Sequence, residues 1–309
     1  MKVTLLAGGT GGAKLAHGFQ QVVAPGELTV VVNVADDTEL FGLRVSPDVD
    51  TVLYTLAGVA NAETGWGVRD DTWTALDMLG RYGEPTWFRV GDADLATHVR
   101  RAHLLAGGAS LTDVTQSMAQ ALGVPSKVLP ATDDRLRTVL QTDAGDLEFQ
   151  DYFVRLRQEP AVRGVHFDGL DLARPTPNVL QAIGTAEMLV IAPSNPLVSV
   201  APILDVPGVR QAISAAGRRG TPRLAVSPIV AGVALKGPAD RMLASLGHEA
   251  TALGVARLYA GLIDTFVLDQ ADGDLAPRIR ELGMEALVLP TVMRDDADRA
   301  ALARALLLS

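Results

Sequence analysis

The chain has 309 residues, 48% hydrophobic and 20% charged, the balance of a well-cored globular protein rather than a disordered one. A net charge of −9 with no Lys/Arg block argues against nucleic acid and anionic membrane surfaces as partners. The absence of cysteine excludes disulfides, thiol nucleophiles and Cys–zinc sites.

No apolar run approaches the roughly 18 residues of a membrane span. The apolar stretch at the N-terminus is too short for a signal peptide, so a cytoplasmic protein is expected. Val3–Ala7 reads as a short buried strand. Gly8-Gly9-Thr10-Gly11-Gly12-Ala13-Lys14 follows at once, then a helical pattern through Leu15, Gly18, Phe19 and Val22. A strand, a glycine-rich turn and a helix start make an anion cradle, because glycines let the backbone approach a phosphate and helix-start N–H groups face it. The spacing is neither the dinucleotide fingerprint nor a Walker loop. A tight structural turn is the plainer alternative. Lys14 is placed to touch a phosphate or to lie solvated, and His17 reads as a packing or surface residue.

Leu28–Val34 is the second buried strand. It leads into Asn33–Thr51, which holds Asp36, Asp37, Asp48 and Asp50 before an apolar helical pattern at Val49, Val52, Leu53 and Leu56. Ser46 and Pro47 supply a helix start, a side-chain cap and then a proline at the first position. Asp36 or Asp37 on the strand-end loop can therefore converge with Asp48 or Asp50 on the helix start. Hard carboxylate oxygens so placed suit Mg²⁺, which takes one or two carboxylates plus substrate phosphates. Singly, each aspartate reads equally well as a turn residue or a helix-dipole partner.

Residues 58–159 read as an inserted, mostly helical subdomain. Trp66, in Gly65-Trp66-Gly67, and Trp73 are placed to stack on a planar ring or to anchor a small core. Asp92 reads as the N-cap of a helix in which Asp94 and His98, at i, i+4, can meet. Such a pair permits proton transfer but is more often structural. Ser110-Leu111-Thr112-Asp113 is a capping-box variant. Leu129–Asp134 reads as a turn-rich bridge.

Strand–helix alternation returns from about residue 160. Met188–Ala192, Leu224–Val226, Thr265–Leu268 and Ala286–Leu289 read as strands, with a last helix to Leu307. With the first two strands this makes six, and the expected fold is α/β: a Rossmann-like, doubly wound, mostly parallel sheet. Its core is expected to span about 1–57 and 160–309. In such sheets ligands bind beyond the carboxyl ends of the strands. Gly8–Gly12, Asp36-Asp37, Ser194-Asn195, Ser227 and Asp269 all fall at predicted strand ends, which argues for one nucleotide-sized site.

The glycine run, the Asn33–Thr51 stretch, Gly65-Trp66-Gly67, Gly91–His98, Pro193-Ser194-Asn195-Pro196 and Ser227–Pro238 together resemble the CofD/FbiA family, over nearly the whole chain. The resemblance implies an enzyme of coenzyme F-420 biosynthesis. It would transfer a phospho-acid, phosphoenolpyruvyl or 2-phospho-L-lactyl, from a guanosine diphosphate-type donor to the ribityl hydroxyl of the deazaflavin Fo, releasing GMP. It also implies Mg²⁺ as cofactor and a homodimer. On this resemblance Asp36 and Asp48 hold the metal, and Asp48 and Asp50 carry the catalysis. Asp50 orients the hydroxyl or takes its proton. Gly8, Gly9, Thr10, Gly11, Gly12 and Lys14 hold phosphate, Ser194, Asn195 and Ser227 serve the guanosine side, and Asp50, Trp66, Asp92, Asp94 and His98 bind the deazaflavin. The family commonly has arginine where this chain has Ala93, so that cation is expected from Arg44, Arg89 or Arg100. A competing resemblance is to YvcK-like regulatory proteins, non-catalytic binders of nucleotide sugars. The continuation Thr38-Glu39-Leu40-Phe41-Gly42 and Ser46–Asp50 favours the transferase.

Overall fold

Seven parallel strands carry the fold in the computed structural model, which describes all of residues 1–309. In chain order, β1 (Val3–Ala7) enters α1 (Gly9–Val22) and β2 (Leu28–Val32) leads to the hairpin β3 (Thr38–Leu40) and β4 (Leu43–Val45), then α2 (Pro47–Leu56). The helices α3 (Thr74–Arg81), α4 (Asp92–Ala106) and α5 (Leu111–Ala121) precede β5 (Lys127–Pro130). A second, antiparallel sheet is built from β6 (Arg137–Thr142), β7 (Gly145–Glu148) and β8 (Val162–Asp168). Then come α6 (Pro177–Thr185), β9 (Met188–Ile191), α7 (Ala201–Asp205), α8 (Val209–Arg218), β10 (Arg223–Val226) and the small hairpin β11 (Ile229–Val230) and β12 (Val233–Ala234). The chain closes with α9 (Ala239–Ser245), α10 (Ala252–Tyr259), β13 (Thr265–Asp269), α11 (Ala276–Arg280), β14 (Glu285–Leu289) and α12 (Asp296–Leu307).

The main sheet has the order β14-β13-β10-β9-β1-β2-β5. The chain builds outward from β1 to β2 and β5, then returns to β9 on the other side of β1. The reversal places the topological switch point between β1 and β9, where ligands of open α/β sheets bind.

Both faces of the sheet are covered, which is why its strands are near-continuous apolar runs. Leu5, Val30, Val32 and Val190 face Leu15, Phe19, Val52, Leu53 and Leu302 from α1, α2 and α12. Leu6, Val31, Ile191 and Phe266 face Ile183, Ile213 and Val255 from α6, α8 and α10. Phe19 is fully buried, and truncating it to alanine costs about 3–5 kcal/mol in transfer and cavity terms.

The structure adds a strand to the six expected. Lys127–Pro130 pairs with β2 as the edge of the main sheet, where a bridge was expected. Only Val128 and Leu129 stand between a lysine and a proline, too short a run to show a period. An edge strand also tolerates proline, whose missing N–H faces no neighbour. Residues 58–159 therefore do not separate from the core as one helical insertion. Leu111, Val114 and Met118 of α5 pack in the same cluster as β1 and β2, and β6 and β7 are strands. The capping box is present: Ser110 Oγ accepts from Asp113 N–H at 3.1 Å, and Asp113 accepts from Ser110 N–H at 3.3 Å.

Candidate active site at the carboxyl ends of the strands

The glycine run forms the first turn of α1 itself, which starts at Gly9 rather than near Leu15. Gly9 has φ +60°, in the left-handed region that favours glycine. A β-carbon at Gly11 would stand 2.3 Å from the Pro193 carbonyl oxygen, so only glycine lets α1 approach the loop after β9 this closely. Four N–H groups at a helix start lack intrahelical partners. Two of these are taken: Gly8 N–H donates to Ser194 Oγ at 3.1 Å and Gly9 N–H to Asp48 Oδ1 at 2.8 Å. Those of Thr10 and Gly11 are left for a ligand.

The four aspartates divide by role. Asp37 Oδ2 accepts from Arg44 Nε at 2.8 Å and from Ser46 Oγ at 2.8 Å. It is therefore a structural anchor, and Ser46 does not cap α2 with its side chain as expected. Asp50 is buried and ion-paired to Arg101. Asp36 and Asp48 remain. Asp48 Oδ2 accepts from Asn33 Nδ2 at 3.0 Å, and Oδ1 of the same Asn33 amide accepts from Ala35 N–H at 2.9 Å. Burial first, and then the negative Asp48, push the Asp36 carboxyl well above the usual carboxylate range. Burial pushes Asp48 up to about 6, partly offset by the hydrogen bonds from Asn33 and Gly9. Asp36 Oδ1 is buried without a hydrogen-bond partner. An orphaned carboxylate oxygen beside a second carboxylate fits a divalent cation. No cluster of three or more His, Cys, Asp or Glu side chains forms a complete protein cage. Two carboxylates suit Mg²⁺, whose other ligands come from water and substrate phosphate.

Two clefts meet here. One, of about 180 Å³, is lined by Gly8–Gly11, Lys14, Asp48, Ser194, Asn195, Ser227, Lys236 and Thr291, among others. The other, of about 300 Å³, is lined by Gly9, Thr10, Asp48, Asp50, Tyr54, Trp66, Trp87, Phe88, Arg89, Asp94, His98 and Phe153, among others. Gly9, Thr10 and Asp48 belong to both. A larger cleft of about 650 Å³ lies at the opposite, amino ends of β1 and β2, around Lys2, Glu27 and Lys127, and holds none of the expected residues.

In the first cleft, Lys14 Nζ donates to the Met293 carbonyl at 2.9 Å, and burial together with the Arg299 and Lys236 charges lowers its pKa. Ser194 Oγ also donates to Gly8 O at 2.7 Å, Asn195 Oδ1 accepts from Leu197 N–H at 3.0 Å, and Ser227 Oγ closes its own turn with Ile229. These three side chains shape the cleft wall. Lys236 reaches over it to the Thr64 carbonyl at 3.2 Å, and Thr10 Oγ1 donates to Gly65 O at 3.1 Å, so the Trp66 strap is tied to the glycine run.

In the second cleft, Trp66 is 42% exposed and meets Trp73 edge-on at 6.5 Å between ring centroids. Arg89 lies 4.2 Å from the centre of the Trp73 ring. Of the three arginines expected near Ala93, Arg89 lines the cleft, Arg44 is committed to Asp37, and Arg100 is exposed. Asp92 does not line it. Asp92 accepts from Thr74 N–H at 3.1 Å and Ala75 N–H at 2.9 Å, capping α3, while Asp71 caps α4 through Ala93 N–H at 2.8 Å. The two helices exchange caps, and the N-cap residue of α4 is Gly91. Asp92 is thus a structural residue rather than a binding one. Asp94 Oδ1 accepts from Tyr54 OH at 2.8 Å and lies 3.5 Å from His98 Nε2. Sequence reading missed Arg101, Tyr54, Asn33 and Lys236. Arg101 had a signal: it lies three residues after His98 and seven after Asp94, on one helix face.

The family model described as "2-phospho-L-lactate transferase CofD" matches residues 3–289. A phosphoenolpyruvate transferase of Streptomyces griseus is 41% identical over 310 residues, covering 98% of this chain and 96% of the relative. A 2-phospho-L-lactate transferase of Methanothermobacter thermautotrophicus is 41% identical over 305 residues, covering 99% of this chain and 97% of the relative. Among solved structures, a UPF0052 family protein of Bacillus halodurans matches with a TM-score of 0.64 at 18% identity, over 99% of this chain and 98% of that one, a likeness of fold. The family model and two relatives 41% identical over nearly their whole length agree, and the chain belongs to the CofD family of transferases.

Proposed function

We propose that this protein transfers a phospho-acid from a guanosine diphosphate-type donor to the ribityl hydroxyl of the deazaflavin Fo, releasing GMP, in the biosynthesis of coenzyme F-420. The observation that carries the reading is the meeting of a polar, glycine-lined cleft and an aromatic cleft at Gly9, Thr10 and Asp48. A reaction joining a nucleotide-linked phosphate to a planar ring system needs two such clefts with their reacting ends in common.

The donor's diphosphate would lie against the N–H groups of Thr10 and Gly11, with Lys14 and Lys236 supplying positive charge. Asp48 stands at the same helix start and would repel that anion. Asp36 and Asp48 would hold Mg²⁺, which neutralises charge on the diphosphate as the transfer proceeds. Trp66, Trp87, Phe88 and Phe153 would enclose the deazaflavin ring, and Asp50 would orient the ribityl hydroxyl. That oxygen would form a bond to the phosphorus bearing the acid as the bond from phosphorus to the GMP oxygen breaks, and Asp50 Oδ2 would take the hydroxyl proton. Positioning and charge neutralisation carry most of such a transfer, and no covalent enzyme intermediate is needed.

The test is an assay with Mg²⁺, Fo and each guanosine-linked phospho-acid, following GMP release and product mass. GMP with a phospho-acid adduct of Fo is expected, and the adduct mass identifies the acid. If no donor reacts while a nucleotide sugar binds by calorimetry, the regulatory reading replaces this one.

A further inference from the structure

Arg101 is the largest fully buried side chain of the protein, at 1% exposure. It sits on α4 and makes three contacts. Its guanidinium pairs with Asp50 Oδ1, donates to the Arg44 carbonyl at 3.2 Å, and lies 3.1 Å from His98 Nδ1. A guanidinium only donates, so Nδ1 of His98 is an acceptor and the neutral ring carries its proton on Nε2. Two polar atoms are then left over. Asp50 Oδ2 and His98 Nε2 are both buried and have no hydrogen-bond partner. Both residues line the aromatic cleft. Buried polar atoms are ordinarily satisfied, so two orphans facing one cleft point to a ligand that supplies their partners.

We infer that Arg101 is a positioning residue for the acceptor. By occupying Asp50 Oδ1 and His98 Nδ1 at once, it fixes the orientation of both side chains. It leaves one acceptor, Asp50 Oδ2, and one donor, His98 Nε2–H, for the hydroxyls of a polyol chain. A hydroxyl both donates and accepts, so an alcohol of the ribityl type satisfies the pair, whereas a carboxylate or phosphate satisfies only the histidine. On the Nε2 side of the ring Asp94 Oδ1 stands 3.5 Å away, too long for a good hydrogen bond, and it already accepts from Tyr54 OH at 2.8 Å, so Nε2–H stays unsatisfied without a ligand. The inference rests on the proposed transfer to Fo.

The experiment is steady-state kinetics on full-length wild type, Arg101→Lys, Asp50→Asn and the double variant, with thermal melts as fold controls. Lysine keeps the charge but loses the planar fork that reaches two partners. Arg101→Lys is expected to lower kcat/KM for Fo by about 100-fold, while the donor's KM moves by less than about twofold. The double variant is expected to be no worse than Asp50→Asn alone within about threefold, because one residue acts through the other. Wild-type kinetics for Fo in a folded Arg101→Lys, equal losses for both substrates, or multiplying losses in the double variant would overturn it. Ring-nitrogen NMR shifts of His98 in the wild type, assigned by His98→Gln, need no folded Arg101 variant. The Nε2–H tautomer, with its Nε2 signal moving on Fo addition, is expected, and a proton on Nδ1 sinks the inference. A wild type that neither binds nor converts Fo overturns the proposed function and this inference together, whereas an active wild type with indifferent variants overturns only the inference.

Discussion

Asp48 Oδ1 accepts the N–H of Gly9 at 2.8 Å, so a carboxylate of α2 occupies the helix start at which a phosphate is expected to bind. Two anions at one helix start repel each other, and the proposed Mg²⁺ would offset that repulsion. Asp48→Ala is therefore expected to lower kcat by about 1,000-fold or more while the protein stays folded. Removing a half-buried carboxylate whose pKa stands at about 6 leaves stability unchanged or slightly raised. Turnover assays paired with thermal melts check both halves. Near wild-type turnover removes Asp48 from the metal role.

The same carboxylate sets a pH dependence. Its pKa of about 6 in the fold lies above the ordinary aspartate value of 3.8, so the folded state binds the proton more tightly than the unfolded chain. The associated stability is fully present below about pH 4 and is lost as pH rises through about 6, by no more than about 3 kcal/mol. Asp36 shifts in the same direction. A divalent cation offsets this loss only when the carboxylates are charged. The rise in thermal midpoint on adding Mg²⁺ is therefore expected to be small near about pH 5 and larger near about pH 8. Equal rises at both pH values would show that Mg²⁺ binds elsewhere.

Gly11→Ala would drive a β-carbon to 2.3 Å from the Pro193 carbonyl oxygen, a backbone atom that cannot turn aside. Separating α1 from the loop after β9 is expected to cost about 1–3 kcal/mol, read as a lower denaturant midpoint, and to abolish turnover. Gly184 in α6 has nothing within 4 Å of such a carbon. Gly184→Ala is expected to be neutral or to stabilise by up to about 1 kcal/mol, which makes it a control for the chemistry of the substitution.

Trp66→Ala removes an aromatic face that is 42% exposed and contributes little to the core. The melting temperature should hold. The KM for Fo should rise by about 3- to 10-fold, corresponding to a stacking contribution of about 0.5–1.5 kcal/mol. An unchanged KM would place the deazaflavin ring on Trp87 and Phe88 instead.

Local sequence by itself determined the parts of this protein that are short-range in cause. Val3–Ala7 reads as a buried strand followed by a glycine-rich turn and a helix, and Ser110 with Asp113 sets its cap within four residues, although the helix start at Gly9 rather than near Leu15 was left to the structure. The apolar runs at Leu28, Met188, Leu224, Thr265 and Ala286 declared a doubly covered parallel sheet, because strands buried on both faces carry no polar alternation. Tertiary structure decided what depends on partners far apart in the chain. Lys127–Pro130 became a strand because β2 offered it an edge. Asp36, Asp37, Asp48 and Asp50 are alike in sequence and acquired three different roles from Arg44, Asn33 and Arg101. Asp92 was drawn into capping α3 from across 18 residues. A carboxylate takes its role from the charges and donors around it, and those are brought there by folding, so spacing along the chain could nominate these aspartates but not sort them.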